Sequence, residues 1–181
     1  LLSKGETHNG KYFKNFSKNE LLSLAYTQES FGFFEKDLCN KVIEYCNKAS
    51  ELDQGNFYVG YLKGLTFRKM GIEKKDTIYY KKAIEEFDNA LKIKSHLEAE
   101  LYVQLGFTYF KLGRPEKTEE NYTKAINSYR FEDSLGSFEM ERLQIPYYMH
   151  RAAFYKVTGQ EEKSLQDLNK IEEIEKGLRG E

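Results

Sequence analysis

The sequence predicts an all-α fold, a solenoid of about four antiparallel helix pairs built as one domain. Three observations carry that prediction. Apolar residues recur at helical spacing along most of the chain. One ordered pattern of small, aromatic and glycine residues returns three times and survives partly in a fourth place. Only 2 of the 181 residues are proline, so little interrupts a helix once it has begun.

Taken in order, residues 1–16 show no stable period and read as a tail, with Tyr12, Phe13 and Phe16 as its apolar handles. Ser17-Lys18-Asn19-Glu20 ahead of Leu21 and Leu22 is a capping-box signature, and a first helix is expected from there. The domain is expected over 17–178, with 179–181 as a short tail. Its first unit, 23–56, keeps Phe31-Gly32-Phe33-Phe34 near the end of one helix and Val42, Cys46 and Ala49 in the next. The second unit, 57–98, carries Gly64, Phe67 and Gly71, then Ala83, Phe87 and Ala90. Within it Tyr80, Ala83, Ile84, Phe87, Ala90 and Leu91 fall on one helical face, with Lys81, Glu85 and Asp88 opposite.

The third unit, 99–132, gives the clearest copy: Tyr102, Leu105, Gly106, Tyr109 and Gly113, then Tyr122 and Ala125. A joint over 133–144 is expected to hold a short helical turn before Pro146 opens the next helix. The fourth unit, 145–178, shows Tyr148, Ala152, Tyr155 and Gly159, then Ser164, Leu168 and Ile171. Gly71, Gly113 and Gly159 are each expected to end a first helix in a left-handed conformation. Pro115 suits the first turn of a helix, where its missing N–H costs nothing.

These residues resemble the tetratricopeptide repeat, a helix–turn–helix unit of about 34 residues with small side chains where its paired helices touch. The resemblance implies a right-handed solenoid. By that measure the second unit is longer by about 8 residues, placed around Gly71–Lys82, where Asp76 could cap a second helix lengthened by Ile78, Tyr79 and Tyr80. Lys63 and Arg151 depart from the pattern, standing where an apolar residue is usual.

Composition narrows the function. Lys+Arg 28 against Asp+Glu 29 leaves a formal charge of -1, which offers no general attraction to nucleic acid or anionic lipid. The local basic cluster Arg68-Lys69, Lys74-Lys75 and Lys81-Lys82 is diluted by Glu73, Asp76, Glu85 and Glu86 and reads as a solvated face. No apolar run approaches the length of a membrane span. The chain starts at Leu1, so the reading is of a mature or trimmed piece, and an anchor upstream stays open. Lys, Asn and Ile usage with no Trp suggests an AT-rich, bacterial genome.

Cys39 and Cys46 would lie about 10 Å apart along one helix, too far for a disulfide. Unpaired thiols lean towards a reducing compartment such as the cytoplasm, although buried packing explains them equally well. His8, His96 and His150 are scattered, and no phosphate loop, nucleophile elbow or His-Glu-x-x-His motif is present. His96 and Glu100 could share a helical face as metal ligands, but a solvated turn is the preferred reading. The expectation is a non-enzyme that needs no cofactor or metal.

The resemblance also implies a concave groove lined by the first helix of each unit. Carried over residue by residue, the second unit offers Tyr58, Tyr61, Leu65, Arg68 and Lys69, the third Glu100, Val103, Phe107, Phe110 and Lys111. The fourth offers Pro146, Met149, Ala153, Lys156 and Val157. Members that clamp a chaperone's terminal carboxylate use Lys and Asn at places held here by Thr27, Phe31, Tyr61, Leu65, Val103 and Phe107, so that clamp is absent. A groove of rings and aliphatic chains suits an amphipathic helix or an apolar extended segment of another protein. Tyr58, Tyr61, Leu65, Arg68, Val103, Phe107, Phe110 and Met149 are the expected contact residues of an adaptor or scaffold. The rival expectation is a structural subunit, of a homo-oligomer or a permanent complex, whose groove is filled by itself or a partner. The lengthened helix near Ile78–Tyr80 is a second candidate surface.

Overall fold

The computed structural model describes residues 16–93, 95, 97–128 and 137–180, with 137–140 described by their backbone alone. The tail residues Tyr12 and Phe13, together with His8 and His96, lie outside the described residues. Eight helices and no strand are found among those described: α1 Lys18–Glu35, α2 Cys39–Leu52, α3 Phe57–Lys74, α4 Thr77–Leu91, α5 Glu98–Lys111, α6 Pro115–Ser128, α7 Ser137–Val157 and α8 Glu161–Arg179.

The helix starts follow local chemistry. Both halves of the capping box form at α1: the Glu20 backbone N–H donates to Ser17 Oγ at 3.2 Å, and the Ser17 N–H donates to the Glu20 carboxylate at 2.8 Å. Asn56 caps α3 by accepting the Tyr58 N–H at 3.1 Å, and Asp76 caps α4 by accepting that of Ile78 at 2.9 Å. Pro115 is the first residue of α6, as its fixed φ favours. Gly113 (φ 66°) and Gly159 (φ 74°) take the left-handed conformation just beyond α5 and α7.

Two expectations about boundaries are corrected. Gly71 does not end a helix; it lies inside α3, which runs on to Lys74 and stops at Lys75 with φ 52°. The reason is packing: the Tyr80 ring lies against Gly71, so close that a methyl group there would fall 2.9 Å from Cε1. The insertion therefore lengthens α3 to 18 residues, against 14 in α5, while α4 has 15 against 14 in α6. The remaining extra residues lie in the connection after α4.

Pro146 does not open a helix either. It sits inside α7, which begins at Ser137 and takes up residues 137–144 of the expected joint. Proline removes one hydrogen bond, to the carbonyl of Arg142 four residues earlier. Pro146 and Arg142 are both exposed, so water can serve that carbonyl, while Gln144, Tyr147 and Tyr148 bury the other side of the helix.

The helices pair as α1/α2, α3/α4, α5/α6 and α7/α8, and each pair stacks on the next through α2/α3, α4/α5 and α6/α7. The first helices also touch along one flank, α1 with α3 and α3 with α5. Three buried clusters run down the stack. Val42, Cys46, Ala49, Val59 and Leu62 form the first, Phe57, Ala83, Phe87, Leu101 and Leu105 the second, and Val103, Tyr122, Ile126, Phe154 and Ile174 belong to the third. Close helix approach depends on missing side chains. Phe87 packs directly on Gly64, and a methyl on Gly106 would fall 2.7 Å from the Tyr122 ring.

The polar departures from the pattern are neutralised inside the stack. Lys63 of α3 meets Glu86 of α4 at 2.6 Å, and Arg151 of α7 meets Asp167 of α8 at 2.7 Å. Asn56 donates to Ser23 Oγ at 2.8 Å and to Thr27 Oγ1 at 2.9 Å, fixing α1 against the start of α3. Thr27, one of the absent-clamp positions, is thus buried and not on the groove surface.

Candidate docking groove

The flank formed by α3, α5 and α7 holds a cavity of about 200 Å³ lined by Arg68, Val103, Gln104, Phe107 and His150. Helical spacing explains the convergence. Val103, Gln104 and Phe107 lie three and four apart on α5, while Arg68 reaches over from α3 and His150 from α7. The Arg68 guanidinium lies over the Phe107 ring at 4.9 Å, and Lys111 approaches the same ring at 5.2 Å. Arg68 Nη1 donates to Gln104 Oε1, and the Gln104 amide donates to Glu100, so the amide is held from both sides.

Burial sets the electrostatics here. Desolvation lowers the pKa of the Arg68 guanidinium from its ordinary value, against the opposing influence of Tyr61, Glu100 and Tyr122. Desolvation likewise raises the Tyr61 phenol, with Glu100 adding to it, and pushes the Tyr122 phenol up to about 12. His150 is exposed and stacks on Tyr122, ring centres 6.1 Å apart at 17°.

The expected contact residues divide into three groups. Tyr58, Tyr61 and Leu65 are half-buried against the second core cluster; Tyr58 packs edge-on to Phe31 at 6.3 Å and Tyr61 stacks on Phe57 at 6.0 Å. Val103 is almost wholly buried and forms a wall of the cavity. Arg68 and Phe107 line the opening, whereas Phe110 is 36% exposed and Met149 57% exposed. Along α7, Pro146, His150, Ala153 and Val157 recur at helical spacing, all exposed, with Met149 beside them and Val157 68% exposed.

The groove is therefore less uniformly apolar than the sequence suggested, with a cationic floor beside an apolar rim. Gln104 and His150, which are not among the expected contacts, also line the cavity. A usable signal was present: both stand at the place in their units that Leu62, a buried residue, holds in the second. A polar side chain substituted there has to find a polar setting.

The basic cluster disperses. Arg68 goes to the cavity, Lys69 pairs with Asp37, Lys74 donates to the Tyr79 hydroxyl at 3.0 Å, and Lys82 lies 5.6 Å from the centres of both the Phe67 and Tyr79 rings. Among the described residues no helix is long and apolar enough to cross a membrane. Cys39 and Cys46 are free thiols.

A stack of antiparallel helical hairpins with a lined flank defines the class of α-solenoid repeat proteins. The tetratricopeptide-repeat family model matches residues 99–131, the stretch of α5 and α6. No curated protein matches the sequence. Among solved structures, the crystal structure of MamA superposes with a TM-score of 0.64 at 19% identity, covering 88% of this chain and 81% of that one. MamA from Desulfovibrio magneticus RS-1 gives 0.63 at 18% identity, covering 88% and 78%. The Arabidopsis OM64 TPR domain gives 0.57 at 12% identity, covering 76% and 98%. The chain thus shares the fold of these tetratricopeptide-repeat structures, and its residues 99–131 match the repeat itself.

Proposed function

We propose that the chain is a non-catalytic adaptor or scaffold whose α3–α5–α7 flank receives a segment of another protein. The observation that carries this reading is the exposed apolar rim of Phe110, Met149, Ala153 and Val157 beside a pre-shaped cavity. Stacked neighbours already order these side chains, so docking would cost little conformational freedom on this side. Arg68, Phe107, Phe110 and Met149 are the proposed contacts, Val103 a wall, and Tyr58, Tyr61 and Leu65 the packed support beneath.

The test is crosslinking of the full chain in its native cell, repeated with the double variant Phe110→Ala, Met149→Lys. Met149 is well exposed, whereas Phe110 also packs edge-on to Phe154, so a modest fall in melting temperature is expected while partner crosslinks disappear, each well-used anchor being worth about 1–3 kcal/mol. Crosslinks that persist in the double variant would overturn the reading.

A second reading, a subunit of a homo-oligomer, is favoured by the exposed Leu165 and Leu168 on the last helix. Sedimentation across a concentration range decides it: a monomer throughout removes this reading.

A further inference from the structure

Among the described residues, three half-buried cations that tie helices together are each neutralised by a carboxylate. Lys63 has Glu86, Lys69 has Asp37, and Arg151 has Asp167. Arg68 is different. Among the described residues it makes one hydrogen bond to a neutral amide and a stacked contact with Phe107, and it feels Glu100 only through space, without an ion pair.

A guanidinium carries five N–H donors in a fixed fork, and the Gln104 bond uses one nitrogen. Every fully buried side-chain nitrogen and oxygen among the described residues has a partner. The remaining donors of Arg68, on Nε and Nη2, therefore face accessible space, and the cavity is the space that Arg68 lines. Gln104 cannot swing away to answer them, because Glu100 holds its amide. Glu100 is the carboxylate that acts on Arg68 through space, but its oxygen accepts from Gln104. Lys111 adds a second positive charge above Phe107.

Resting on the docking function proposed above, we propose that this cavity seats a side-chain carboxylate, Asp or Glu, of the docked partner segment. The carboxylate takes the free fork of Arg68 in a charge-assisted pair. Apolar side chains next to it in the partner lie along Met149, Ala153 and Val157 on α7. The partner is thus an acidic–apolar segment of another protein. The chain's own first 15 residues suit the site poorly, since Lys4, Lys11 and Lys14 outnumber Glu6 there.

The experiment uses the full chain and two sets of short fluorescent peptides, acetylated and amidated at their ends so that no terminal carboxylate is present. One set carries a central Glu flanked by Leu and Phe; the other replaces that Glu with Gln. Anisotropy should show the Glu set binding about tenfold more tightly, the scale of a hydrogen-bonded charge against its neutral isostere. Arg68→Gln should bring the two sets to parity, and Arg68→Lys should leave a reduced preference, because the charge remains and the fork is lost. Phe110→Ala should weaken both sets alike and preserve the preference.

Equal binding of both sets by the unaltered chain would overturn the carboxylate assignment and leave the docking function standing. So would a Glu preference undiminished in Arg68→Gln. No binding of either set at millimolar peptide would overturn both, as would a dimer in sedimentation that Arg68→Gln dissociates, since a second copy would then be the occupant. Unchanged thermal melting of Arg68→Gln is the control for folding. If that variant melts early, Arg68→Lys alone decides, and a full Glu preference there refutes the forked pairing.

Discussion

Arg151 on α7 and Asp167 on α8 are joined by two hydrogen bonds, Nε to one carboxylate oxygen at 2.9 Å and Nη2 to the other at 2.7 Å. The third nitrogen, Nη1, donates to Thr123 Oγ1 of α6 at 2.8 Å. One side chain therefore links three helices across the boundary between the third and fourth pairs. The Asp167 side chain is only 6% exposed and that of Arg151 18%, so neither charge could find ample water if its partner were removed. Asp167→Ala should lower unfolding free energy by about 3–5 kcal/mol, measured by urea titration. Replacing both partners, Arg151→Met with Asp167→Leu, should recover most of that loss, because no uncompensated charge is left.

The glycines separate into those that matter for packing and those that do not. Gly106→Ala should destabilise by about 1–3 kcal/mol, since its methyl meets the Tyr122 ring at 2.7 Å and the ring itself is buried. Gly32→Ala, in α1 with nothing within 4 Å of the added carbon, should stabilise by about 0.5–1 kcal/mol through helix propensity. Paired thermal melts of the two variants check the contrast.

Burial pushes the Cys46 thiol from its ordinary 9.0 up to about 11. Between those values the unfolded chain loses this proton while the folded chain keeps it, so stability falls as pH rises from about 9 to about 11. The loss attributable to this group is about 3 kcal/mol. Cys46→Ala should start less stable at neutral pH and show a shallower alkaline decline than the unaltered chain. Urea titrations at stepped pH measure the two slopes, and equal slopes would refute the assignment.

Asn56 performs two tasks with one amide: its oxygen caps α3 and its nitrogen donates to Ser23 and Thr27 of α1. Asn56→Ala should cost about 2–3 kcal/mol, the sum of a lost cap and two hydroxyls left short of a donor. Asn56→Asp should keep the cap but lose both donors, and fall between the two. Denaturant midpoints of the three chains give the ranking.

The residues that made the fold legible act over a single turn or a single face. Ser17 and Glu20 close their own box, Gly113 and Gly159 relieve their own backbone, and the stripe Tyr80, Ala83, Phe87 and Ala90 needs only a period to be read. Gly71 and Pro146 misled because their effect is decided by distant partners. A glycine beneath a tyrosine from the next helix serves contact instead of termination, and a proline with solvent on its side leaves a helix intact. The cavity shows the same division. That Arg68, Val103 and Phe107 face one flank follows from helical spacing, whereas the hydrogen bonds linking Arg68, Gln104 and Glu100 depend on side-chain orientations that spacing alone does not fix.

The order of helix packing has a mechanical consequence. Among the described residues each hairpin leans chiefly on the hairpins before and after it in sequence, and α1 touches α3 and α3 touches α5 one pair along. Tension applied at the two ends would accordingly be passed from joint to joint in series, and the molecule would extend like a short spring before any single hairpin gave way.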